Sequence, residues 1–215
     1  MKKYFYIKLI IIALMVLVGL YFYGKLPDII PHHWNYKGVA DAFGPKIYTM
    51  VMMPSLGILL LALFHFIPKI DPNKYKYDQF RDAWEKMQIT ILAYFAYIYF
   101  VIIYVILNPG SSINFFMFLG IGTFFMILGN YMGKVRKNYF VGVRTPWTLA
   151  NEEVWNRTQR FTGKMFFLSG LLLFLDAFLN VFVVGIFIFM IVTCIFGPFI
   201  YSYIEFKRIT DAKKS

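Results

Sequence analysis

The sequence predicts an all-α integral membrane protein with six transmembrane helices and both termini in the cytoplasm. Three observations carry that expectation. Apolar residues make up 60% of the 215-residue chain and charged residues 15%, against roughly 45–50% and about 25% in soluble domains. Six stretches are apolar over the length of about 20 residues that a helix needs to cross about 30 Å of hydrocarbon. Finally, 19 of the 22 Lys and Arg fall on one side of the membrane those stretches define. A soluble fold cannot bury so much apolar surface, whereas lipid accepts it as exterior.

The first stretch, Tyr4–Tyr23, opens on Lys2, Lys3 and Lys8 and has no small-x-small cleavage site before Leu26-Pro27. It reads as a retained signal-anchor helix rather than a cleaved leader. Ile47–Ile67, Met87–Leu107 and Ile113–Met132 follow, with Asn108-Pro109-Gly110-Ser111 as the turn between the third and fourth. Phe161–Leu179 and Val181–Glu205 are separated only by a tight break near Asn180, so they form a helical hairpin.

Basic residues concentrate at the N-terminus and in the second loop (Lys69, Lys74, Lys76, Arg81, Lys86). They recur in the fourth loop (Lys134, Arg136, Lys137, Arg144, Arg157, Arg160, Lys164) and the tail (Lys207, Arg208, Lys213, Lys214). The opposite side holds only Lys25, Lys37 and Lys46. The face rich in Lys and Arg is the cytoplasmic one. The net charge of +11 is therefore a topology signal, with attraction to anionic lipid headgroups, and implies no direct nucleic-acid partner. One cysteine, Cys194, excludes a disulfide framework and a cysteine-based metal site.

Composition divides the chain in two. Residues 1–67 form a two-helix membrane domain around an outer loop rich in Pro, His and Gly. Residues 68–215 form a four-helix region around a basic cytoplasmic loop at 133–164. In the outer loop, Pro27, Pro31 and Gly38 predict an irregular backbone, and Trp34 and Tyr36 are natural interface anchors. His32, His33, Asp28 and Asp41 carry atoms that ligate divalent metals. Adjacent histidines diverge in most backbones, however, and a rigid loop packed on the helix ends is the expectation, with no metal and no cofactor.

In the basic loop, Arg144-Thr145-Pro146 should be extended, because a residue before proline disfavours helix. Thr148 or Asn151 then caps a helix whose first turn holds Glu152 and Glu153. Val154, Trp155, Thr158, Phe161, Thr162 and Met165 recur at helical spacing, with Arg157, Arg160 and Lys164 on another face. That pattern predicts an amphipathic helix on the membrane surface running into the fifth span. Arg144, Trp147, Arg157 and Arg160 suit either an anionic headgroup or protein partner, or simple anchoring of the loop at the lipid interface.

The run Asn138–Trp155 (NYFVGVRTPWTLANEEVW), with Gly129-Asn130 before it, resembles the signature of the SdpI-type immunity proteins. Gly142–Leu149 is its most specific part. The outer loop, through Leu26-Pro27, Ile30-Pro31, His33, Trp34, Asn35, Gly38 and Asp41, looks like the uncharacterised membrane domain that often precedes that signature. The resemblance implies a six-helix protein of the bacterial cell membrane that protects its cell from a secreted antimicrobial peptide toxin. It also implies signal transduction, in which a small winged-helix transcriptional repressor is held at the membrane. On this reading Arg144, Thr145, Pro146, Trp147 and Trp155 form the partner-binding surface, with Pro146 fixing shape and Arg144 supplying charge. Many members carry His where this chain has Gln159, so a proton-dependent role for that position does not carry over.

Ionisable groups inside a span are functional candidates by default. Asp176, near the outer end of the fifth span, is the intramembrane polar candidate, and the alternative function it supports is a small transporter or channel. No nucleophile–base pair, phosphate-cradling glycine loop or metal-ligand helix motif appears, so catalysis is not expected.

Overall fold

The computed structural model describes residues 2–212, so Lys213 and Lys214 of the basic tail lie outside the described residues. Six long helices account for most of the chain. They begin with α1 (Lys2–Tyr23), α2 (Lys46–Ile70) and α3 (Arg81–Leu107), the last entered through a 3-10 turn at Lys74–Phe80. α4 (Ile113–Met132), a short α5 (Pro146–Ala150) and α6 (Glu152–Leu179) follow. α7 (Val183–Ile191) continues through one π-helical segment, Val192–Phe196, into α8 (Gly197–Asp211). Six of these runs, counting the last three segments as one, are long and apolar enough to cross a bilayer. The protein is a multi-pass helical membrane protein.

Local chemistry sets the breaks. Ser112 caps α4 by accepting from Phe115 N at 3.3 Å. Asn180 ends α6 in the left-handed region (φ 51°), a conformation Asn tolerates, with its N–H on Asp176 O at 2.7 Å. The side chain of Asp176 completes this turn: Oδ1 accepts from Val181 N and Phe182 N, both at 3.0 Å. The break expected near Asn180 is thus made by two residues together.

The closest helix pair is α4 with α6. A Cβ on Gly122 would sit 2.7 Å from Gly170 O, and one on Gly163 would sit 2.6 Å from Gly129 O. Gly122 and Gly129, like Gly163 and Gly170, are seven residues apart and share a helix face. In lipid the hydrophobic effect does not drive helices together, so small residues that let backbones touch serve instead.

Side chains tie one end of the bundle together. Tyr4 donates to Asp82, Lys8 pairs with Glu85 at 2.8 Å, Lys76 with Glu152 at 2.9 Å, and Arg157 with Glu205 at 2.9 Å. These links join the start of α1, the entry to α3, the start of α6 and the end of α8. At the opposite end Asn114 Nδ2 donates to Tyr36 O at 3.2 Å, seating the loop between α1 and α2 on the start of α4.

That outer loop differs from the irregular backbone expected. It is an antiparallel hairpin of β1 (Ile29–Trp34) and β2 (Ala40–Pro45), with the register disturbed around His33. The turn is organised by Asn35, whose Oδ1 accepts from Lys37 N at 2.9 Å and Val39 N at 3.1 Å, and by Gly38 at φ 76°. Prolines 31 and 45 fit because both strands of a two-stranded ribbon are edges, where a missing N–H breaks no inner ladder. Leu26 and Ile30 are buried with Met15, Met50 and Tyr99, so the hairpin is anchored in the core.

A second correction concerns the helix expected on the membrane surface. Its residues form the first turns of α6, and their apolar face is covered by protein: Val154, Trp155, Thr158 and Gln159 are fully buried. The preceding loop folds back over that face, which lipid would otherwise have occupied.

Candidate functional site

The loop between α4 and α6 is built around three buried polar side chains. Asn138 is the first. Its Oδ1 accepts from Phe140 N at 2.8 Å and Val141 N at 2.6 Å, while Nδ2 donates to Arg136 O at 2.8 Å and Val141 O at 3.0 Å. An amide has two acceptor sites and two donors, and all four are used here. Asp71, 2% exposed, is the second. It accepts from Asn73 N at 2.7 Å, from Tyr77 Oη at 3.1 Å and, across the molecule, from Tyr139 N at 3.0 Å. The turn after α2 is thereby fastened to the loop before α5.

Gln159, the third, reaches up from α6. Its Oε1 accepts from Val143 N and its Nε2 donates to Val143 O, both at 3.0 Å. This two-bond clamp sits directly beneath Gly142, where φ is 103° and a Cβ would lie 2.8 Å from Gln159 Oε1. Glycine is required there twice, for conformation and for space.

From Val143 the chain turns into α5. Thr145 is extended (φ −103°, ψ 163°), as expected before Pro146. It forms a reciprocal cap with Thr148: Thr148 N donates to Thr145 Oγ1 at 3.2 Å and Thr145 N to Thr148 Oγ1 at 2.8 Å. Thr145 Oγ1 also donates to Ser202 Oγ of α8 at 2.9 Å. Of the two caps open for α6, Asn151 is the one used, accepting from Glu153 N at 2.8 Å and Val154 N at 3.2 Å. Trp155 is fully buried, and its indole N–H donates to Val135 O at 2.9 Å.

The five residues expected to form one partner-binding surface therefore occupy two environments. Arg144 and Pro146 are exposed, and Trp147 is half-buried, its ring 5.1 Å from both Phe199 and Tyr203 of α8. Thr145 and Trp155 are buried and hold the loop from within. Arg144 Nη1 donates to Tyr139 O at 2.6 Å, which sets the guanidinium across the Asn138–Val141 turn. Beside this surface Arg157 bridges Glu153 at 2.7 Å and Glu205 at 2.9 Å, with Arg208 3.7 Å from Glu205. The pairing of Glu205 with Arg208 expected from their spacing is present, and Arg157 is the nearer partner.

Asp176 is 3% exposed. One carboxylate oxygen carries the turn bonds described above, and Oδ2 has no hydrogen-bond partner. In the hairpin, His33 Nδ1 and Asp41 Oδ1 are 2.5 Å apart across the strands, Asn35 organises the turn, and Trp34 is half-buried. His32 and Asp28 do not join them, Asp28 pairing with Lys46 at 3.2 Å. Among the described residues no three His, Cys, Asp or Glu converge as a metal site would need.

Sequence reasoning missed Asp71 and Asn138 and the pairing of Lys8 with Glu85. Asp71-Pro72-Asn73 is a turn signal by composition, but nothing local says that its carboxylate reaches a backbone N–H 68 residues away.

The fold and this loop define a class: a six-span helical membrane protein whose basic loop is wedged between its fourth, fifth and sixth spans. Comparison with known proteins carries this further. Residues 134–202 match the SdpI/YfhL protein family, and residues 10–58 match the Domain of unknown function (DUF1648). The first match contains the Asn138–Trp155 run and the second contains the outer loop, the two segments that carry the resemblance. It is 28% identical over 208 residues to a protein named Immunity protein SdpI from Bacillus subtilis (strain 168), covering 96% of this chain and 98% of that one. No solved structure matches it.

Proposed function

We propose that this protein is a membrane immunity and signal-transduction protein that protects its cell from a secreted antimicrobial peptide toxin. The observation that supports this most is its end-to-end similarity to Immunity protein SdpI, which covers both the hairpin region and the loop. In this reading the termini and the loop at 133–151 face the cytoplasm, in keeping with the distribution of Lys and Arg.

The partner surface for a small winged-helix repressor is narrower than the five residues expected. Arg144, Pro146 and the outer edge of Trp147 offer charge and an apolar plane. Thr145, Thr148, Gln159 and Trp155 hold that surface in shape from beneath. Toxin protection is assigned to the opposite end, where the hairpin stands on the helix ends.

The test is survival of a toxin-sensitive bacterium expressing the protein, challenged with membrane-active peptides, alongside capture of the repressor on membranes. Arg144→Ala with Trp147→Ala should abolish recruitment at unchanged insertion. Loss of neither protection nor recruitment in a stably inserted double variant would defeat the assignment.

A further inference from the structure

A cavity of 710 Å³ lies among α1, the second half of α2 and the start of α3, at the end of the bundle that carries the N-terminus. It is separate from the loop at 133–151, and its lining divides by chemistry. Lys2, Lys8, Arg81 and His65 supply the polar part, and Phe5, Ile58, Leu61 and Phe66 supply apolar walls. Phe5, Ile58 and Phe66 are each about half exposed (48%, 57% and 55%), so the walls continue onto the surface that faces hydrocarbon.

The charges do not balance. Three Lys and Arg line the cavity against one carboxylate, Glu85. Lys8 is 5% exposed and sits six residues into α1, about 9 Å deeper than Lys2 at 1.5 Å per residue. Its ammonium donates to Glu85 at 2.8 Å and to Gln88 at 2.5 Å, which leaves its third N–H unused. Arg81 touches Asp78 at 3.0 Å on an exposed edge. Lys69 lies 2.7 Å from His65 and adds charge behind it. Among the described residues Lys2 has no acidic partner. Cations graded from the interface into the span, above apolar walls open to the side, complement one kind of molecule: an anion attached to a hydrocarbon chain. A soluble anion would leave the apolar walls uncovered.

We propose that this cavity binds one anionic phospholipid from the leaflet on the side of the termini. Its phosphate lies among Lys2, Lys8 and Arg81, and an acyl chain runs along Phe5, Ile58 and Leu61. Basic recesses between transmembrane helices are suited to such headgroups. The site is independent of the immunity reading and stands or falls apart from it.

The experiment uses the full chain in nanodiscs of phosphatidylcholine, titrated with phosphatidylglycerol, and counts retained lipid by native mass spectrometry. The expected result is one phosphatidylglycerol held with a preference on the order of tenfold over phosphatidylcholine, the scale set by two or three cations near a headgroup. The variant Lys2→Gln with Arg81→Gln should lose most of that preference. Lys25→Gln with Lys37→Gln, at the other end, should keep it. Lys8 is left intact, since removing it would strand Glu85 in the bundle. Equal retention of the two lipids, or an unchanged preference in the Lys2/Arg81 variant, would overturn the proposal. Displacement of the lipid by millimolar inorganic phosphate would overturn it as well, since the acyl chain would then contribute nothing.

Discussion

Gly142 and Gln159 are coupled through a single close approach, and that coupling can be measured. In Gly142→Ala the new methyl would sit 2.8 Å from Gln159 Oε1, on a backbone at φ 103°. The conformation alone costs about 1–3 kcal/mol for a residue with a Cβ. The amide must also move, which breaks the bonds to Val143 N and Val143 O, and leaving a buried donor unmade costs about 1–3 kcal/mol more. Gln159→Ala removes the same two bonds without the strain, and costs about 2–4 kcal/mol with its small cavity. In the double variant the methyl meets no amide, so its second cost disappears. The double variant should therefore fall short of the sum of the single variants by about 1–3 kcal/mol. Reversible unfolding by SDS in mixed micelles, followed by tryptophan fluorescence, gives the three values, with Trp147 and Trp155 reporting on the loop itself. Additivity within about 0.5 kcal/mol would show that the clamp does not constrain the glycine and would refute the reasoning.

Asp176, Gly163 and Trp155 offer further tests of the same structure. Asp176→Asn keeps the oxygen that accepts from Val181 N and Phe182 N, so its stability in the same titration should change by less than about 1 kcal/mol, whereas Asp176→Ala should lose about 2–3 kcal/mol. Proton flux into proteoliposomes should be the same for wild type and Asp176→Asn; flux that depends on the carboxylate would favour the transporter function instead. Gly163→Ala places a methyl 2.6 Å from the backbone oxygen of Gly129, so α4 and α6 must part, and stability should fall by about 1–3 kcal/mol. Trp155→Phe keeps most of the buried ring but orphans Val135 O. A loss of about 1–3 kcal/mol is expected, and under the proposed function repressor capture should weaken in parallel because the loop loses its anchor.

The span boundaries show what a sequence can reveal when the solvent does the selecting. Ile113–Met132 and the end of α6 at Leu179 fall where apolar composition placed them, because hydrocarbon demands an unbroken apolar helix wherever the chain crosses it. A cap at Thr148 or Asn151 and the extended Thr145 were legible for a similar reason, since both follow from the chemistry of neighbours within a few residues. The resemblance carried by Gly142–Leu149 was also readable directly.

The hairpin was not legible, since Pro31 and Pro45 argue against strands until it is known that both strands are edges. Nor could the pattern at 154–165 say whether lipid or protein would cover it, because the period of an apolar face is the same in both cases. Only the fold of the preceding loop decides that, through Asn138 and the reach of Asp71 to Tyr139 N. Periodicity and composition determined which segments cross the membrane and where α1, α3, α4 and α6 stop. The tertiary structure decided which of the signature's residues face outward and which hold the loop from within, because burial depends on contacts between residues far apart in the chain.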